Sequence, residues 1–159
     1  MRSISLAAAL AALLAAGGAA AETCKPNIVD LRDPAGTARI SVEVVDTPEG
    51  REKGLMFRQA LPRYSGMLFV YEYPQPAAFW MKNTLIPLDM LFFDDAGRLT
   101  RIHENARPGD LTPIPGGDAV RYVLEINAGM AETLHLAPGA ELRHPAVDQA
   151  AAAWPCDPS

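Results

Sequence analysis

Cysteine is scarce in this chain. Only Cys24 and Cys156 stand among 159 residues. That excludes a dense disulfide scaffold, and the lack of a C-x-x-C spacing argues against a dithiol redox centre. Histidine is scattered: His103, His135 and His144 show no H-x-x-x-H or similar spacing, so no zinc set is expected, and no metal or cofactor is assigned. Basic residues are in deficit, with 14 Lys and Arg against 19 Asp and Glu, and they form no cluster. The balance argues against nucleic acid as a partner and against a polybasic membrane patch. Past the N-terminus no apolar run approaches the ~20 residues that cross a bilayer, so no stable membrane insertion is expected once that segment is removed. Ser65 precedes Gly66 but lacks a G-x-S-x-G elbow, and no phosphate-cradling glycine motif is present.

What the sequence does have begins with a leader. Arg2 is followed by the Ala- and Leu-rich run 4–16, then Gly17, Gly18 and Ala19-Ala20-Ala21. A positive start, a short apolar stretch and an A-x-A end predict a secretory signal peptide over 1–21, with cleavage after Ala21. The remainder reads as one exported domain, periplasmic or secreted. Residues 22–38 form a polar N-terminal arm, 39–144 a single β-rich domain, and 145–159 an Ala- and Pro-rich loose tail tied by Cys156. In an oxidising compartment Cys24 and Cys156 are expected to form one disulfide closing nearly the whole domain, with free or intermolecular thiols as the alternative.

The strand signals are short and well punctuated. Ile28–Leu31 reads as a short strand in the arm, and Ile40, Val42 and Val44 alternate along one face of the next. Thr47-Pro48-Glu49 starts a helix, with a hydroxyl cap and Pro in the first turn, and Gly54 stops it. Strands follow at 66–71, 78–82, 88–93, 98–103, 119–126 and 140–143. A turn is expected at Tyr73-Pro74-Gln75-Pro76, a hairpin at Asp94–Gly97, a long loop over 104–118 and a short helix over 130–136. The fold class is mainly β: a small single-domain β-barrel-like or jelly-roll-like sandwich with one or two short helices.

Several phrases stand in a particular order: Gly54-Leu55-Met56-Phe57-Arg58, Gly66-Met67-Leu68-Phe69, Phe79-Trp80-Met81-Lys82-Asn83-Thr84, Leu88-Asp89, and Tyr122-Val123-Leu124-Glu125 followed by Ala128-Gly129. From Ile40 to Arg143 the chain resembles the bacterial and archaeal family called domain of unknown function 192. Met90 and Ala140 depart from its pattern. The resemblance implies a compact β-barrel-like or jelly-roll-like domain, often behind a signal peptide. It implies no catalytic role for any residue.

The stretch 79–89 mixes an aromatic ring, an ammonium, an amide and a carboxylate inside apolar sequence, as a polar site in a packed wall would. Alternation puts Trp80 and Lys82 on one face and Met81 and Asn83 on the other. Asp89 and Glu125 are carboxylates embedded in apolar strands, which need partners such as Arg58, Lys82 or backbone amides. Arg58, Trp80, Lys82, Asn83, Asp89 and Glu125 are therefore the candidate binding site, with the 104–118 loop at its rim. The leading reading is a binding or accessory module of the cell envelope, whose partner is an envelope ligand or protein, anionic or sugar-containing. Two alternatives stand beside it: a hydrolase or lyase using Asp89 and Glu125 as acid and base, and a structural or interaction domain with no small-molecule site. Met56, Met67, Met81 and Met90 read as core.

Overall fold

The arm folds into the sheet. A computed structural model describes residues 23–156; the expected signal peptide lies outside the described residues. Strand β1, Ile28–Asp33, turns back into β2, Gly36–Val45, through a loop in which Asp33 Oδ1 accepts the amides of Ala35 and Gly36 at 2.7 and 3.1 Å. The strand expected at 28–31 is thus longer, and the polar residues 32–38 are a hairpin. Helix α1, Pro48–Lys53, starts as its sequence predicts: Thr47 caps the amide of Gly50 at 3.1 Å, and Gly54 ends it at φ +47°.

Strand β3, Ser65–Phe79, corrects the sequence reading. The expected turn at 73–76 is a bulge inside one 15-residue strand, and no separate strand occupies 78–82. Against β6, Ile114–Asn127, the register runs from Val70 opposite Tyr122 to Gln75 opposite Val120. Five steps on one strand match two on the other, so three residues are extra. Pro74 and Pro76 sit there because proline has no amide hydrogen for a ladder and is tolerated where pairing breaks. The bulge folds the far end of β3 over its start. Phe79 meets Phe69 edge-on at 5.1 Å and Phe92 at 5.8 Å.

The hairpin β4, Leu88–Phe93, and β5, Leu99–Ala106, is as expected, with Asp94 Oδ1 accepting the amides of Ala96 and Arg98. The long loop is not. β5 and β6 extend into 104–118 and leave only 107–113 between them. Helix α2 is Met130–Thr133, shorter than expected, and β7 is Glu141–Arg143.

The sheet order is β5-β4-β6-β3-β2-β1-β7, with β2 and β3 parallel and the other neighbours antiparallel. The sheet curls into a half-barrel. Its two edges meet at one corner, where Leu99 N donates to Ala140 O and Gly139 N to Leu99 O, both at 2.7 Å. The β6 and β4 strands are central, and every residue of β4 is buried. Alternation divides their side chains between two cores. Leu68, Leu91, Tyr122, Leu124 and Ile126 pack with β1, β2 and α2. Met67, Phe69, Met90, Phe92 and Val123 pack on the other face, with Leu55 and Met81.

Over its described residues, 145–156, the tail is not loose. Val147 is buried, and Trp154 lies between the guanidiniums of Arg32 and Arg143, at 4.5 and 4.4 Å from its ring centre. Cys24 and Cys156 form the disulfide, with Cα atoms 5.6 Å apart.

Candidate functional site

Asp89 and Glu125 lie on neighbouring strands and on opposite faces. In the β4–β6 ladder Asp89 is opposite Ile126, and Met90 is opposite Glu125. Opposed residues share a face and successive ones alternate, so the two carboxyls point away from each other. Asp89 is fully buried and accepts the amides of Asn105 and Ala131, both at 2.9 Å. Ala131 is in the first turn of α2, so Asp89 satisfies one of that helix's unpaired amides while Gly129 offers no capping side chain. Of the partners expected for Asp89, neither Arg58 nor Lys82 reaches it; backbone amides serve, from Asn105 and Ala131. The structure does not bring Asp89 and Glu125 together as an acid/base pair.

Glu125 is the unusual group. It is 5 % exposed, and among the described residues nothing donates a hydrogen bond to it or forms an ion pair with it. Burial alone pushes its carboxyl up to about 8 from the usual 4.5. At neutral pH it therefore presents a proton to the cavity above it.

That cavity is a groove of about 360 Å³ between α1 and the β3–β6 face. Pro48, Arg51, Glu52 and Lys53 come from α1, and Gly54, Leu55 and Met56 from the segment after it. Phe69 and Tyr71 come from the start of β3, Ala78 and Phe79 from its far end, and Glu125 from β6. The bulge explains how one strand lines two walls. Arg51 is fixed: its Nη1 donates to the carbonyls of Asp46 and Val70, and its guanidinium lies 4.9 Å from the centre of the Tyr71 ring. Burial raises the Tyr71 hydroxyl above its ordinary value; Arg51 opposes the shift and Glu125 adds to it.

Trp80 forms the lip, 47 % exposed, with Lys82 Nζ 5.0 Å from its ring centre. The two side chains meet, but not by strand alternation: both lie beyond β3, and Asn83, expected on the other face, lines the same cavity as Trp80 and Lys82. Lys82 and Asn83 line an adjoining cavity of about 330 Å³ that shares Trp80 and Met56 with the groove. Asn83 Nδ2 is 3.9 Å from Met56 Sδ, and its backbone carbonyl accepts the Phe57 amide at 2.8 Å. Residues 107–113 do not line the groove; they brace it from behind, where Met81 N donates to Asp110 O and Gly109 N to Met81 O. Arg58 is elsewhere, in a forked pair with Glu43 at 2.6 and 2.7 Å.

The candidate set thus divides. Trp80 and Glu125 share the groove, Lys82 and Asn83 flank it, and Asp89 and Arg58 stand apart. Sequence reasoning missed Arg51 and Tyr71, and it counted Met56 as core. Among the described residues no three His, Cys, Asp or Glu side chains come together as metal ligands.

Fold and site define a small β half-barrel with a side groove over a buried, unpartnered carboxyl. The chain belongs to the family of domain of unknown function 192, described as "Uncharacterized ACR", whose model matches residues 31–144. A search of curated proteins gave no match. Two crystal structures are similar. One is of a protein of unknown function from Novosphingobium aromaticivorans DSM 12444, 39 % identical, with a TM-score of 0.71 over 72 % of this chain and 82 % of that one. The other is of a protein from Sinorhizobium meliloti 1021 described as a "putative transcription regulator", 40 % identical, with a TM-score of 0.72 over 76 % of this chain and 95 % of that one.

Proposed function

We propose that this chain is an exported, non-enzymatic binding module of the cell envelope that receives a small ligand in the groove between α1 and β3. One observation carries the reading: Glu125 is buried without a partner at the floor of an open cavity. The carboxyl opens into that cavity with no hydrogen-bond partner from the described residues, so a ligand with a suitable acceptor would supply one. Four of the five phrases on which the family resemblance rests contribute to the groove, through Gly54–Met56, Phe69, Phe79–Trp80 with Thr84, and Glu125, while Leu88-Asp89 lies apart. Export is supported by the leader-like residues 1–21 and by the Cys24–Cys156 disulfide, which suits an oxidising compartment.

A two-carboxylate hydrolase is disfavoured by the opposed faces of Asp89 and Glu125. The regulator description of the Sinorhizobium meliloti protein is not adopted for this chain, which has 14 basic against 19 acidic residues and no basic stripe. The test is a thermal-shift panel of envelope polymers, sugars and small anions on wild type, Trp80→Ala and Glu125→Leu. A ligand that raises the Tm of the wild type and of neither variant is the expected result. A panel that stabilises nothing, or stabilises all three alike, overturns the reading.

A further inference from the structure

Trp80 belongs to two cavities at once. The deeper one ends at Glu125, and the shallower one is reached past Lys82 and Asn83. Glu52, Lys53, Met56 and Trp80 line both, so the two are adjoining compartments of one groove with the indole at the junction. Each is near the lower bound of the ~300–1,000 Å³ of small-ligand pockets.

Resting on the binding role set out above, we propose that the groove has two subsites for an N-acylated glycan of at least two rings, with Trp80 at the junction, Glu125 facing the inner N-acyl group, and Lys82 and Asn83 serving the outer ring. Two observations lead there. The inner compartment joins Leu55, Phe69 and Phe79 to the carboxyl of Glu125 at its floor, with Glu52 and Lys53 where it meets the outer one. An N-acyl group matches that pairing, with a methyl for the apolar wall and a carbonyl to accept the carboxyl proton. The outer compartment gathers the carboxylates of Glu49 and Glu52, the ammonium groups of Lys53 and Lys82 and the Asn83 amide beside the Trp80 indole, a polar set that suits sugar hydroxyls next to an aromatic ring. A peptide adding as a strand is the weaker fit. The β2–β3 pairing ends at Phe69, so the edge of β3 beyond it is free of β2, but Pro74 and Pro76 remove amide donors there.

The test is calorimetric titration of the purified disulfide-bonded protein with N-acetylglucosamine, its β-1,4-linked dimer and trimer, and cellobiose. The dimer is expected to bind at least about tenfold tighter than the monomer, with the trimer within about threefold of the dimer and cellobiose about tenfold weaker than the dimer. Lys82→Ala should bring the dimer towards the monomer and leave the monomer unchanged. Glu125→Leu, which replaces a buried neutral carboxyl by an apolar side chain, should abolish the preference over cellobiose. Equal affinity for monomer and dimer, or a dimer affinity insensitive to Lys82→Ala, overturns the two-subsite proposal. If no N-acylated sugar binds while another ligand class stabilises wild type and not Trp80→Ala, the glycan assignment fails and the binding role stands. If nothing in either experiment binds, both fail.

Discussion

Replacing Glu125 by glutamine should remove a large part of the pH dependence of stability. The native carboxyl titrates at about 8 because it is buried with no donor or cation beside it, whereas an unfolded glutamate titrates near 4.5. Between these values the folded protein holds a proton that the unfolded chain has released. Stability must therefore fall as pH rises from about 4.5 to about 8, by about 1.4 kcal/mol per pH unit. From pH 5 to 8 that is about 4 kcal/mol, or roughly 10–15 °C in Tm for a domain of this size. Glutamine keeps the shape and cannot ionise. Urea denaturation of the ligand-free protein at pH 5, 6, 7 and 8 should show the wild-type free energy dropping relative to Glu125→Gln by that amount. Other groups cancel in the difference. Burial holds His144 below its usual value despite the Pro26 carbonyl, so its contribution is lost as pH falls below about 6.5, with the opposite sign. Parallel pH curves for wild type and Glu125→Gln would mean that the carboxyl ionises freely, and the argument that burial holds it neutral would be wrong.

Gly116→Ala should destabilise by about 1–3 kcal/mol or more in urea, because a Cβ there would stand 2.2 Å from the Phe92 ring and that ring is packed against Phe79. Reducing or removing the Cys24–Cys156 bridge, which closes a separation of 132 residues, should lower stability by up to about 5 kcal/mol, read as a shift in urea midpoint with and without reductant. Asp89→Ala leaves the buried Ala131 amide unsatisfied and removes a second, part-buried bond from the Asn105 amide, so it should cost about 1–3 kcal/mol, and its effect should add to that of Glu125→Gln within about 0.5 kcal/mol, since the groups point to opposite faces of the sheet. Arg58→Ala should change stability by less than about 1 kcal/mol, because its partner Glu43 is itself half-exposed.

Local chemistry was legible where local chemistry decides. Thr47, Pro48 and Gly54 announce α1, and Asp94–Gly97 announces the β4–β5 hairpin. Period-two alternation marked β2, whereas Trp80 and Lys82 meet beyond the end of β3, where alternation does not apply. It was misled at Tyr73–Pro76, because prolines break pairing in a bulge just as they do in a turn, and only the partner strand tells the two apart. The site was half visible for the same reason. Embedded carboxylates drew attention to both Asp89 and Glu125, but satisfaction is a tertiary fact. Asp89 finds its two amides 16 and 42 positions away in sequence, and Glu125 finds none. Arg51 was hidden because its place beside Tyr71 depends on α1 docking against β3, which no spacing encodes.

The bond between Cys24 and Cys156 also has a mechanical meaning. A pull applied outside these two residues passes across a 5.6 Å span of covalent linkage and never loads the strand ladders in between. The half-barrel is then a passenger on that line of force. Extension should stop at the bridge while the groove keeps its shape, and only after reduction should the sheet itself bear tension.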